Sequence, residues 1–287
     1  MFANSSTSNK NIITEAVATI PDALSVPPEK LQHTLFQTSW NTFSSEARKA
    51  LPPEHATICN SAANKHAADW LLAVPSTFDL TIPNRLMRIA VSLFLCIPLL
   101  PVGAACPSCP NESFDESNTH VLKHNTKGGN CRRHKAITNV LYAFSRQANL
   151  PVIQELTGLY TDDNRRPDLL ISDIGPRRGD VAIDVSVTTP LLIRGNAPPN
   201  LQAAKAREGS KRHKYASPKS PLPFTPFVVE TYGGMTPTAI ELVKNITTRV
   251  RESQPPNFAA PTAKHHAFQA ISTALWRENA RKVAQYL

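Results

Sequence analysis

Two groups of residues in this sequence have the types and spacing that chemistry requires. The first is Cys106-x2-Cys109-x10-His120-x3-His124. Four soft or borderline donors in two close pairs match what tetrahedral Zn²⁺ takes. Each pair supplies two corners, and the intervening loop returns the chain to close the site. Cys131 and His134 stand nearby as alternatives to His124. The loop is shorter than the ~12 residues of DNA-reading C2H2 fingers. Asn125-Thr126-Lys127-Gly128-Gly129 also breaks any helix directly after the second histidine. The spacing therefore predicts a structural zinc staple that positions the basic stretch after it.

The second group is acidic. Arg166-Pro167-Asp168 opens one candidate strand, and Asp184 lies inside the next. Two strands joined by a turn would bring both carboxylates together at a sheet edge. Such carboxylates are hard oxygen ligands for Mg²⁺ or Mn²⁺. These ions lower the pKa of a water and offset charge developing on a phosphate. Glu155, on the preceding segment, is a candidate third ligand. Residues 184 and 186 share a strand face, so a lysine at 186 would complete a D-x-K triad; the residue there is Ser186. The cation must come from elsewhere, and Lys205, Lys211 and Lys214 on a basic helix offer it. Tyr160-Thr161-Asp162-Asp163 has the Y-x-D-D form of reverse transcriptase sites. A Cys/His module rather than a palm precedes it, and it reads as coincidence.

The elements that must carry these groups are legible in part. Ile137, Val140, Leu141 and Phe144 recur at helical spacing over 134–148, with Asn149 and Pro151 as the stop. Strand signals follow at 152–159, 168–172 and 180–188; in the last, Val181, Ile183, Val185 and Val187 alternate with period two. A basic helix over 200–216, a strand over 227–231 and two helices over 236–252 and 261–287 complete the chain. That order predicts an α/β (α+β) fold, with a zinc module over 106–131, a core over 132–235 and C-terminal helices over 236–287. Ahead of them lie a helical segment over 46–105 and a Ser-, Thr- and Asn-rich leader over 1–45 expected to be loosely ordered. The uncharged stretch 89–105 is interrupted by Pro98 and Pro101, which predicts a buried helix ending near Ile97 and no stable membrane association.

The charge points to a polyanion. The 287 residues carry 31 Lys plus Arg against 22 Asp plus Glu, a net charge of +9. Residues 123–146 hold six basic residues and no acid, and 205–219 hold six against Glu208 alone. The rest of the chain is nearly balanced, so the positive charge is local. Lys127, Arg132, Arg133, Lys135, Lys205, Arg207, Arg212 and Lys214 are the candidate nucleic-acid contacts. DNA is the expected partner, with RNA as the alternative. Five cysteines are too few for a disulfide scaffold. With no apolar signal region near the N-terminus, this predicts an intracellular protein, nuclear or cytoplasmic and not secreted.

At this point the residues resemble a family. The run from the zinc module through KGGNCRRHKAITNVLYAFSRQANLPVIQEL, RRPDLLISDIGPRRGDVAIDVSVTTP and SKRHKYA…FTPFVVETYGG, flanked by ADWLLAVPST and ALWRENARKVAQYL, covers about residues 50–287. It resembles the C-terminal region of non-LTR retrotransposon polyproteins. There a zinc knuckle precedes a restriction-like endonuclease of the PD-(D/E)xK type. The resemblance implies a mixed sheet flanked by helices that nicks DNA with a divalent metal. It makes Cys106, Cys109, His120 and His124 the zinc ligands, with His124 where cysteine is common. It aligns Arg133-His134 with an R-H pair at the start of the first core helix. Asp168 and Asp184 would hold Mg²⁺ or Mn²⁺ with help from Glu155, and the displaced lysine would be Lys211, before Lys214 or Lys205. The chain departs from the pattern at Ser186 and in having no reverse transcriptase ahead of the nuclease region. The competing expectation is a non-catalytic, zinc-dependent nucleic-acid-binding remnant of such an element.

Overall fold

Tandem prolines at 52 and 53 open helix α1 (Pro53–Ala62), because a helix tolerates proline where its first amides have no partner. The computed structural model describes residues 45–47, 49–123, 128–159, 166–174, 179–192, 200–216, 222–253 and 260–287. Residues 1–44 of the leader, His124, Lys127 and Tyr160–Asp163 lie outside the described residues. By internal contact the chain falls into residues 1–56 and 57–287, and the second unit holds both groups of chemistry-bearing residues.

Helix α2 (Asn84–Phe94) starts after Pro83 and buries Ile89, Ala90 and Leu93. It ends three residues before the expected Ile97, at a turn where Cys96 takes φ 54°. Among the described residues, no helix is long and apolar enough to cross a membrane. A two-stranded hairpin, β1 (Ala105–Cys106) and β2 (Cys109–Ser113), and a short helix, α3 (Thr119–Lys123), follow. Helix α4 (Gly129–Gln147) begins behind Gly128, whose φ of 68° suits glycine. A Cβ on Gly129 would lie 2.8 Å from Lys282 Cγ, so a side chain there would displace the buried Lys282.

The main sheet holds β3 (Val152–Gln154), β4 (Leu169–Ile171), β5 (Val181–Thr188) and β6 (Phe224–Glu230), in that order. The first two pairings are antiparallel and β5–β6 is parallel. A parallel pair needs a crossover, which α5 (Gln202–Tyr215) provides. Strand β3 is shorter than the sequence predicts because Glu155 takes φ 53° and turns the chain. The sheet-edge expectation for Asp184 is corrected: β5 lies between β4 and β6, and seven of its eight residues are buried. The alternation in its sequence separates two covered faces, not a wet one from a dry one.

Helices α4 and α6 (Pro237–Ser253) pack against the sheet, and α7 (Ala260–Val283) packs against both of them. Ile137, Leu141 and Phe144 of α4 share a core with Leu169, Ile183 and Phe227 of the strands and Phe268 and Leu275 of α7. Further along α7, Trp276 stacks on Trp70 at 5.2 Å and joins a second core with Leu93, Phe114 and Leu122. One helix thus ties the sheet and the cysteine hairpin into a single packed body.

Candidate active site and metal centre

A cleft of about 530 Å³ opens where α4, β5 and α5 meet, lined by His134, Asp168, Asp184, Ser186, Arg207 and Lys211 among others. Asp168 immediately precedes β4, and its Oδ2 accepts a hydrogen bond from the Val185 amide at 2.6 Å. That bond fixes its carboxylate beside the residue that follows Asp184. Asp184 is only 5% exposed. The Tyr215 hydroxyl donates to its Oδ1 at 2.8 Å and also lies 3.1 Å from the Arg166 carbonyl. Lys211 Nζ sits 2.5 Å from its Oδ2. This contact is an ion pair; that oxygen accepts no aligned hydrogen bond among the described residues. Breaking such a buried pair from one side costs about 3–5 kcal/mol, because the surviving charge stays desolvated.

Helix α5 delivers its cations by periodicity. Arg207, Lys211 and Tyr215 are spaced four apart and so share one face. Arg207 Nε donates to Ser186 Oγ at 2.8 Å, which ties the guanidinium to the side chain two residues after Asp184. The alternatives point elsewhere. Lys205 and Lys214 are exposed and do not line the cleft, and Lys214 lies over the Tyr215 ring at 5.2 Å. Arg212 pairs with Glu208 at 2.7 Å and donates to Thr238 at 3.3 Å, which ties it to α6 and away from the acids.

Two expectations need correction. Glu155 does not join Asp168 and Asp184 in a group close enough to share one ion. It lies at the rim of the same cleft, at the end of β3, where its carboxylate meets Arg166 at 3.3 Å, both half-exposed. Arg133 is not a surface cation: it is 4% exposed and donates to Asn279 at 2.8 Å and to Asn130. Burial pushes its pKa down to about 10. Beside it, burial and the charges of Arg133 and Arg132 push the Lys282 pKa down to about 7. The Lys282 ammonium bonds the Leu122 carbonyl at 2.9 Å and Asn130 at 2.7 Å, joining α7 to the ends of α3 and α4. Of the other predicted contacts, Arg132 and Lys135 are exposed, and Lys135 lines the cleft.

His134 lines the same cleft, with Nε2 3.0 Å from Asp168 Oδ2. Its pKa is raised above 6.5, first by the Asp168 hydrogen bond, against the opposing effect of burial, and further by the charges of Asp168 and Asp184. Because the folded-state pKa is raised, stabilisation from this pair is complete below pH 6.5. It is lost as pH rises through the elevated value. An imidazole NMR titration of the metal-free protein should place the His134 pKa above 6.5, and Asp168→Asn should bring it down. A wild-type value at or below 6.5 contradicts the pairing.

The Cys/His group is a separate site. Ligand atoms of Cys106, Cys109 and His120 all lie within 4.8 Å of one another, so the cluster could hold a metal ion. The tight hairpin sets Cys106 opposite Cys109. Asp115 caps α3 by accepting from the amides of Thr119 at 2.8 Å and His120 at 2.6 Å. His120 Nδ1 lies 2.7 Å from Glu112 Oε2. The tautomer that donates there leaves Nε2 for a metal, the usual support of a ligating histidine. His124 lies outside the described residues. Neither Cys131, exposed at the cleft, nor His134, paired with Asp168, joins this group.

The fold brings Asp168, Asp184 and Lys211, the residues expected to form the site, to one cleft. Tyr215 carries no expected role, although four-residue spacing from Lys211 puts both on one helix face. No family model and no curated protein matches the chain.

Proposed function

We propose that this chain is a metal-dependent DNA endonuclease of the PD-(D/E)xK type with a structural zinc module. The observation that carries the reading is Lys211. The sequence lacks a lysine at position 186, and the crossover helix supplies one 2.5 Å from Asp184 Oδ2. The mixed sheet flanked by helices supports it, as does the concentration of basic residues on the two helices that border the cleft.

The donor set fits a hard divalent ion: Asp168 and Asp184 contribute oxygens, and Asp184 Oδ2 has no aligned hydrogen bond to give up. Bound there, Mg²⁺ or Mn²⁺ would supply water activation and charge neutralisation. The chain's own groups do the rest. Tyr215 and the Val185 amide hold the two carboxylates in place. Lys211 turns its ammonium from Asp184 to a non-bridging phosphate oxygen and offsets charge as water adds to phosphorus. The attacking water gives up a proton to solvent, one P–O ester bond breaks, and the leaving oxygen takes a proton from solvent water. For the hairpin, two thiolates and an imidazole are donors that Zn²⁺ prefers, with His124 as the proposed fourth.

Purified protein with supercoiled DNA and Mg²⁺ or Mn²⁺ should yield nicked circles. Lys211→Met should slow that conversion by about 10²–10³-fold, the scale of losing one oriented transition-state donor. No nicking, or nicking indifferent to Lys211, overturns the proposal. The same ion pair favours a second reading, since an acid already neutralised by lysine suits a module that binds DNA without cutting it. That reading predicts salt-sensitive binding unchanged by Asp168→Ala.

A further inference from the structure

We infer that Arg207, oriented by Ser186, is a phosphate clamp that grips the DNA strand one nucleotide away from the bond facing Lys211; this rests on the endonuclease reading. Three observations carry it. Ser186 is 5% exposed and its hydroxyl accepts from Arg207 Nε at 2.8 Å. The bond therefore anchors the guanidinium to the rigid interior strand β5. Arg207 also lines the same cleft as Asp168, Asp184 and Lys211. Finally, it stands four residues, about 6 Å of helical rise, before Lys211 on α5. That separation is comparable with the step between neighbouring phosphates of one strand.

The chemistry divides between the two cations. A guanidinium has five donors in a planar fork; spending Nε on Ser186 leaves the terminal nitrogens for two phosphate oxygens, the bidentate geometry arginine favours. An ammonium is a compact point charge without that fork. Lysine at 207 would keep the charge and lose the anchored, two-point grip. Lys211, committed to Asp184, faces the reacting phosphate; Arg207 holds the next one. The serine at 186 thus serves as a positioning residue for an arginine that reaches the phosphate itself.

The test is DNA affinity, which does not require cutting. Binding of a short duplex is followed by fluorescence anisotropy over a salt series, with Ca²⁺ present so that the two acids are occupied. Arg207→Ala should weaken binding about tenfold and reduce the salt slope by about one phosphate contact. Arg207→Lys should restore the slope and leave most of the affinity loss. Ser186→Ala should weaken binding about threefold with an unchanged slope, and Ser186→Thr should recover it. In nicking assays the Arg207 effect should appear in KM, with kcat within about threefold. Wild-type affinity in Arg207→Lys, an unchanged slope in Arg207→Ala, or a loss confined to kcat overturns the clamp. Failure of the wild-type protein to nick refutes the endonuclease reading instead, and the binding series still decides the clamp.

Discussion

Asp184→Asn is expected to lower single-turnover nicking of supercoiled DNA by about 10³-fold or more in a chain that still folds. The substitution preserves shape, so the Tyr215 hydroxyl can still donate to the side-chain carbonyl. What it removes is the anionic oxygen that Lys211 Nζ faces at 2.5 Å. That oxygen is one of the two proposed ion contacts and also the group that stores the lysine near the reacting phosphate. Both losses act on the same step, so they exceed what either alone would bring. Lys211, 13% exposed at its side chain, is left without its partner, and some stability is lost with it. A melting curve separates that cost from the catalytic loss. DNA affinity should change little, because the basic helices remain. Nicking within tenfold of wild type would remove Asp184 from the chemistry.

Metal removal at the hairpin is the second large effect. β1 and β2 form a two-stranded hairpin, which is marginal in water by itself, and α3 has five residues. Yet this module presents Phe114, Val121 and Leu122 to the core that contains Trp70 and Trp276. A zinc ion joining Cys106, Cys109 and His120 would supply the missing order, and structural zinc contributes roughly 10–16 kcal/mol in small peptide modules. Metal analysis should find one zinc per chain. Chelation, or Cys106→Ser with Cys109→Ser, should lower the melting temperature and open residues 105–123 to protease. Binding should also weaken as pH falls. Burial, then Cys106 and Glu112, push the Cys109 thiol up, so the metal must expel a tightly held proton. A zinc-free chain with unchanged melting and protease resistance contradicts the staple.

The sequence made some of this legible and hid the rest for physical reasons. Helix α4 shows in the spacing of Ile137, Val140, Leu141 and Phe144, and its end shows in Asn149 and Pro151. Strand β5 shows in its valines, but its burial on both faces does not. Burial depends on β4, β6 and the helices that cover them, all fixed by tertiary packing. Glu155 looked like a ligand because it stands near Asp168 in the chain. One residue in left-handed backbone sends it to Arg166 instead. Arg133 and Arg132 are indistinguishable as letters; helical phase puts one at 4% exposure and leaves the other in solvent. The candidate site was legible where helix periodicity governed it, as with Lys211. It was hidden where distant elements meet, as with His134 on Asp168 and Arg207 on Ser186.

The most direct test of the central claim is a time course of supercoiled plasmid incubated with purified protein, once with Mg²⁺ and once with excess EDTA. A cleft in which Asp168 and Asp184 hold a divalent ion beside Lys211 predicts nicked circles with Mg²⁺ and intact supercoils with EDTA. Supercoils that stay intact in Mg²⁺ and Mn²⁺, or nicking that persists in EDTA, would contradict it.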